Sequence, residues 1–209
     1  MEKKLNFTQT LTDGVKLGIA NFVPLLLTTI LYAITAWIPY LNVGTTIGYY
    51  KVILSIAKGN KIDPVSIFDK ENFSRMGDFF IFLGLKFAGT GAALCFMLLP
   101  GIVMSIAWNF AIYIFLDKNE APVKSLTLSY KITLGEKWKI FFIQFVFGIC
   151  IGIVSGLFGL IPKVGVILSI IVGILAAAIY VAIEAVIYRQ LITKLDPPKV
   201  EEPKEEPIA

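Results

Sequence analysis

At 209 residues, with 56% hydrophobic and 16% charged side chains, the chain is too apolar for a water-soluble domain, which runs near 45–50% apolar and about 25% charged. Roughly half of any globular surface must meet water, so the surplus, with a mean hydropathy of +0.77, calls for hydrocarbon as solvent. The formal charge of +4 does not indicate nucleic acid, because no basic patch interleaved with aromatics lies outside the apolar segments.

Apolar stretches at about 17–41, 43–57, 79–99, 101–116, 140–160 and 165–188 predict an all-α integral membrane protein with six transmembrane helices. The first run starts too late and continues too long for a secretory signal, and reads as a retained span. Turns at Pro39, Pro100 and Pro162 join the stretches in pairs, giving three helical hairpins at about 5–58, 62–117 and 121–192 within a single domain, 1–194. Two stretches, 43–57 and 101–116, fall short of the about 20 residues a crossing needs, so either can be interfacial or re-entrant. Ahead of each hairpin lies a short amphipathic segment: Phe7, Leu11 and Val15, then Val65, Phe68 and Phe73, then Val123, Leu126 and Tyr130. At helical spacing these faces are expected to meet the cytoplasmic headgroups. Asp63-Pro64 reads as an N-cap followed by proline at the first helical position. The Pro- and Glu-rich tail, 195–209, cannot build a core and is expected to be disordered in the cytoplasm.

Cations orient the bundle. Lys3, Lys4 and Lys16, then Lys51, Lys58, Lys61, Lys70 and Arg75, then Lys118, Lys124, Lys131, Lys137 and Lys139, and finally Arg189, Lys194, Lys199 and Lys204 all fall outside the Pro turns, which contain only Lys163. Both termini are therefore expected in the cytoplasm. The hairpins also share landmarks in order: Gly14, Gly77 and Gly135, then Pro39, Pro100 and Pro162, then Tyr50, Tyr113 and Tyr188. Such an internal repeat, with every copy starting and ending on one side, would turn about an axis along the membrane normal.

The stretch Leu99-Pro100-Gly101-Ile102, the span ending at Asp117, the run Ala121 to Leu126 and the run Ser129 to Phe141 with Ser129, Gly135 and Trp138, together with Thr12-Asp13-Gly14, resemble a widespread bacterial membrane family similar to the membrane domain attached to some glycerophosphodiester phosphodiesterases. The resemblance covers about residues 5–192. It implies a polytopic bundle in the bacterial plasma membrane and brings no catalytic residue; the sequence contains no soluble phosphodiesterase domain.

Ionisable groups within spans cost from about 2.5 to above 10 kcal/mol and mark candidate sites. Two lie here, Lys86 about 13 Å and Glu184 about 8 Å from the cytoplasmic helix ends at about 1.5 Å per residue. Asn21, Asn109 and Gln144 fall at similar depth. These five residues are the candidate binding set, a polar layer lining a pocket for a lipid headgroup, a proton or a small solute. Glu184 is its charge-sensing member and Lys86 its ion-pair partner or an anion contact. The competing structural reading has a Lys-Glu pair and amides simply joining helices. Gly84, Ala88 and Ala92, like Gly148, Gly152 and Gly156, recur every four residues and predict close helix contacts. Trp37 and Trp138 read as interfacial anchors and Trp108 as packed within the bundle.

Chemistry is sparse. Histidine is absent, Cys95 and Cys150 sit inside apolar runs, and no phosphate-binding loop, zinc spacing or nucleophile elbow occurs, so no catalytic residue, metal or cofactor is implied. Asp63, Asp69 and Asp78 have no visible catalytic partner, which disfavours a lipid-modifying enzyme. A membrane binding or transport component, or an accessory, scaffold or immunity-type partner of another membrane subunit, fits the sequence better.

Overall fold

A computed structural model describes residues 5–162 and 164–195. Lys3, Lys4, Lys163 and the tail from Asp196 lie outside these residues. The described chain is helical: α1 Phe7–Ala20, α2 Phe22–Thr35, α3 Leu41–Ala57, two 3-10 turns Pro64–Phe68 and Lys70–Phe73, α4 Met76–Phe96, α5 Leu98–Ala107, α6 Ala111–Asp117, α7 Pro122–Thr133, α8 Lys137–Gly159 and α9 Gly165–Ile192.

Four stretches are long and apolar enough to cross a membrane, Met76–Phe96, Leu98–Asp117, Lys137–Gly159 and Gly165–Ile192; α1 with α2 makes a fifth if the bent pair counts as one span. Six spans are not confirmed, for two physical reasons. The stretch 17–41 is not one helix: α1 and α2 meet at Asn21 at 82°. Pro24 explains the break, since its ring excludes the carbonyl of Ala20 four residues earlier and it has no N–H to donate. The stretch 43–57 forms α3, but its 17 residues are largely enclosed by protein, with Ile47, Val52, Ile53 and Ile56 all buried.

Break points elsewhere also shift from the expected prolines. The chain between α4 and α5 turns at Met97, whose backbone is extended, and Pro100 sits inside the first turn of α5, where its missing N–H costs nothing. Asp63 caps the first 3-10 turn as expected, its carboxylate accepting the Val65 N–H at 3.0 Å. Within the stretch 98–117 the helix is interrupted at Trp108–Phe110, separating α5 from α6. Ser129 on α7 donates its hydroxyl to the Ala107 carbonyl at 2.7 Å, pairing a buried backbone group at the break.

Packing follows a regular rule. α2 lies on α3, α4 on α5, and α8 on α9; α1 lies on α9, the 3-10 turns on α3, and α7 on α6. α1 runs antiparallel to α9, with Thr10 donating to Gln190 at 2.9 Å near one end and Gly18 against Ile179 and Ala182 near the other. The amphipathic face of α1 therefore packs on protein: Phe7, Leu11 and Val15 join the core, and Leu126 of α7 is buried, whereas Val65 and Val123 stay exposed. Gly14 permits the close approach of α1, since a Cβ there would stand 2.8 Å from the Cα of Ile183. Gly48 does the same on α3, against the backbone of Ile67. The small-residue stripes behave differently. Nothing approaches Gly84, Gly148, Gly152 or Gly156, so the predicted helix contacts do not form within the described chain. The three landmark glycines also occupy unlike settings, Gly14 inside α1, Gly77 inside α4 and Gly135 in a left-handed turn with φ 76°.

The buried core gathers where α3, α6 and the C-terminal half of α9 meet, around Phe110, Tyr113, Phe115 and Tyr188. Away from it α4, α8 and the N-terminal half of α9 carry exposed apolar side chains such as Phe87, Phe145, Ile153 and Ile167, a surface suited to lipid. Trp37, 88% exposed, and Trp138 stand at the surface, while Trp108 packs against Gly89.

Candidate functional site: a carboxylate at the helix junction

α9 crosses the core with a small, apolar face of Ala178, Val181, Ala182 and Ala185, and within that face stands Glu184, 6% exposed. Its oxygens are surrounded by donors from three helices and the α5–α6 break. Oε1 accepts from Asn109 Nδ2 at 2.9 Å, Gln144 Nε2 at 3.1 Å and the Tyr180 hydroxyl at 2.8 Å. Oε2 accepts from the Tyr113 hydroxyl at 2.8 Å. The interruption after α5 serves this arrangement, because it places Asn109 in a turn where its amide reaches across to α9. Hydrogen bonds to a charged group contribute about 1.5–3 kcal/mol each, and removing the acceptor would leave its buried donors unpaired. Among the described residues no cation forms an ion pair with Glu184, so neutral dipoles alone hold the carboxylate.

From Glu184 a line of tyrosines runs toward the cationic helix ends. The Tyr113 ring lies 5.3 Å from both Tyr50 and Tyr188. Tyr188 donates its hydroxyl to Asp117 at 2.7 Å, and Asp117 pairs with Lys58. Arg75 fixes the start of α4 to the same end, donating to the Phe115 carbonyl at 3.2 Å with its guanidinium 4.2 Å over the Phe115 ring.

Of the five predicted residues, the structure brings Glu184, Asn109 and Gln144 together and separates the other two. Among the described residues Lys86 forms no ion pair with Glu184; it lines a groove between α4 and the α2–α3 turn. Asn21 sits at the α1–α2 bend, its amide donating to the Leu17 carbonyl at 3.0 Å, and takes no part in the cluster. Tyr113 and Tyr180 were not in the predicted set. Tyr180 stands four residues before Glu184, the spacing that puts two side chains on one helix face, and that was its only signal. Asp63 and Asp78 have structural partners, the Val65 N–H and Arg75.

Two openings flank the cluster. The Lys86 groove, about 540 Å³, reaches Tyr50, one ring contact from Tyr113. On another side a crevice between α5 and α8, about 520 Å³, is lined by Ser105, Phe145 and Gln144, the last bonded to Glu184. No protein-family model, curated protein or solved structure matches the chain.

Proposed function

We propose that this protein is a non-enzymatic membrane binding or transport component of the bacterial plasma membrane, with Glu184 as the charged centre of a polar pocket near the cytoplasmic face. The observation that carries the proposal is a buried carboxylate held by four neutral donors, one of which, Gln144, lines an open crevice, while a second groove ends at Tyr50, one ring contact from the donor Tyr113. A charge maintained at that cost inside apolar helices is suited to a proton, a small solute or a lipid headgroup. The resemblance noted in the sequence agrees with a polytopic bundle and adds no activity.

The substitution pair Glu184→Gln and Glu184→Ala tests it. Glutamine keeps the shape and an acceptor oxygen, and the Tyr113 hydroxyl can accept from the new amide, so the fold is retained; alanine leaves four donors unpaired. With ligand retention read by native mass spectrometry of protein released from its own membrane, the wild type carries a bound ligand, Glu184→Gln folds without it, and Glu184→Ala yields little folded protein. Undiminished ligand on Glu184→Gln contradicts the proposal. Lys86→Met with Glu184→Gln, singly and together, checks the structural alternative. Equal losses of folded protein in the singles with recovery in the double would mark a mere helix-joining pair.

The threefold repeat and a cytoplasmic location of both ends belong to the same proposal. Supporting the repeat, each short segment packs on the last helix of the preceding unit in a closed cycle: α1 on α9, the 3-10 turns on α3, α7 on α6. The equivalent tyrosines Tyr50, Tyr113 and Tyr188 also converge. Counted from these tyrosines at about 1.5 Å per residue, the three hairpins extend about 15, 24 and 39 Å to their turns near Tyr40, Met97 and Pro162. Against a hydrocarbon core of about 30 Å, the α2–α3 hairpin then enters the bilayer partway and returns. Four crossings remain, an even number, and every Lys and Arg outside the spans except Lys163 stays on one side, in keeping with the cation bias.

A second reading, an accessory partner of another membrane subunit, is favoured by one observation. The stripe Gly148, Gly152 and Gly156 on α8 is exposed and touches nothing in the described chain, which suits a helix from a partner.

A further inference from the structure

We propose that the groove beside Lys86 holds the phosphate of one anionic membrane phospholipid, which enters sideways from the bilayer between α4 and the α2–α3 turn. The inference rests on the polar pocket proposed above, since the Tyr50 wall of the groove adjoins the Glu184 cluster.

The groove is built for an anion by what it contains and by what it lacks. Lys86 makes no ion pair or hydrogen bond among the described residues, and neither does the hydroxyl of Tyr50, yet both line the groove. Tyr32 also lines the groove, its hydroxyl 3.4 Å from that of Thr46, whose one proton goes to the Asn42 carbonyl at 2.6 Å. An ammonium with three N–H donors and the phenolic hydroxyl of Tyr50 thus face one space, and no Asp or Glu lines it. Such donors in an apolar surrounding are costly unless an acceptor meets them, and a phosphate ester has several oxygens to offer. Charge complementarity therefore selects an anion over a cation.

The walls select an amphiphile over a bare ion. Phe80 and Phe87 project from the exposed face of α4, 55% and 69% exposed, and continue the groove into the surface that lipid covers. The volume of about 540 Å³ is that of a site for an organic ligand, within the usual range of about 300–1,000 Å³. The turn Pro39–Tyr40 forms the rim, because the short α2–α3 unit ends beside Lys86.

The test uses the full chain in phosphatidylcholine bilayers containing a minor share of phosphatidylglycerol, with lipids retained on the protein counted by native mass spectrometry. The wild type retains one phosphatidylglycerol, enriched about tenfold or more over the bulk ratio, a difference of about 1.4 kcal/mol. Lys86→Met brings the retained ratio down to bulk, Lys86→Arg keeps the enrichment, and millimolar inorganic phosphate does not displace the lipid. Absence of enrichment on the wild type overturns the proposal, as does enrichment unchanged by Lys86→Met, or displacement by phosphate, which would assign the site to a free anion. Should Lys86→Met not fold, Tyr50→Phe serves with the same readout: reduced enrichment supports the site and full enrichment overturns it. Glu184→Gln separates the two proposals: enrichment lost with Glu184→Gln but kept with Lys86→Met removes the Lys86 groove and leaves the Glu184 pocket standing.

Discussion

Glu184 draws its partners from positions that are far apart in sequence and alike in depth. Counting residues inward from the cationic helix ends was enough to group it with Asn109 and Gln144, because depth along a helix is fixed by a rise of about 1.5 Å per residue. Depth does not fix azimuth, which is why Asn21 and Lys86, at similar levels, turn out to face elsewhere. The tyrosine donors were hidden for another reason: Tyr113 stood out only as a landmark of the repeat, and a tyrosine in an apolar helix such as Tyr180 signals no partner until a carboxylate is seen beside it. At this scale Asn109→Ala is expected to lower stability by about 1–3 kcal/mol, since a buried charge loses one of its donors. Unfolding in a denaturing detergent titration measures it; an unchanged midpoint would show that the bond is not maintained.

Helix interruptions are the elements that build the centre. The α5–α6 break positions Asn109, and Ser129 meets the carbonyl of Ala107 there, so Ser129→Ala should cost about 1–3 kcal/mol while Thr127→Ala, on the exposed side of α7, should be near neutral. The same denaturation assay compares them. The α1–α2 bend was legible in principle from Pro24, but proline in the first turn of a helix and proline breaking a longer one look alike in sequence. Glycine spacing misled more directly. Four-residue stripes of small residues occur both where helices touch and where a helix faces lipid, and only the former, Gly14 with Gly18 and Gly44 with Gly48, carry contacts within the described chain. Gly14→Ala is therefore expected to destabilise by about 1–3 kcal/mol through overpacking, and Gly152→Ala to be neutral or slightly stabilising. Equal effects at the two sites would contradict the packing of α1 on α9.

For the whole molecule, the apolar excess of the composition pointed to a hydrocarbon solvent, and the length of the apolar stretches pointed to helices. The number of crossings was less legible, because hydropathy measures whether a segment is apolar and not whether oil or protein covers it. α3 is apolar and enclosed by protein, whereas α8 is apolar and exposed. The first hairpin bears on both the topology and the ligand reading, because its turn at Pro39–Tyr40 forms the rim of the Lys86 groove, and a lipid enters there from the side only if that turn stops inside the bilayer. The direct measurement is labelling of intact cells with a membrane-impermeant thiol reagent, after Cys95 and Cys150 are changed to serine and single cysteines are placed at Ile38, Leu98 and Val164. A half-inserted hairpin predicts labelling from outside at positions 98 and 164 and none at 38; labelling of all three, as six full crossings require, would contradict it.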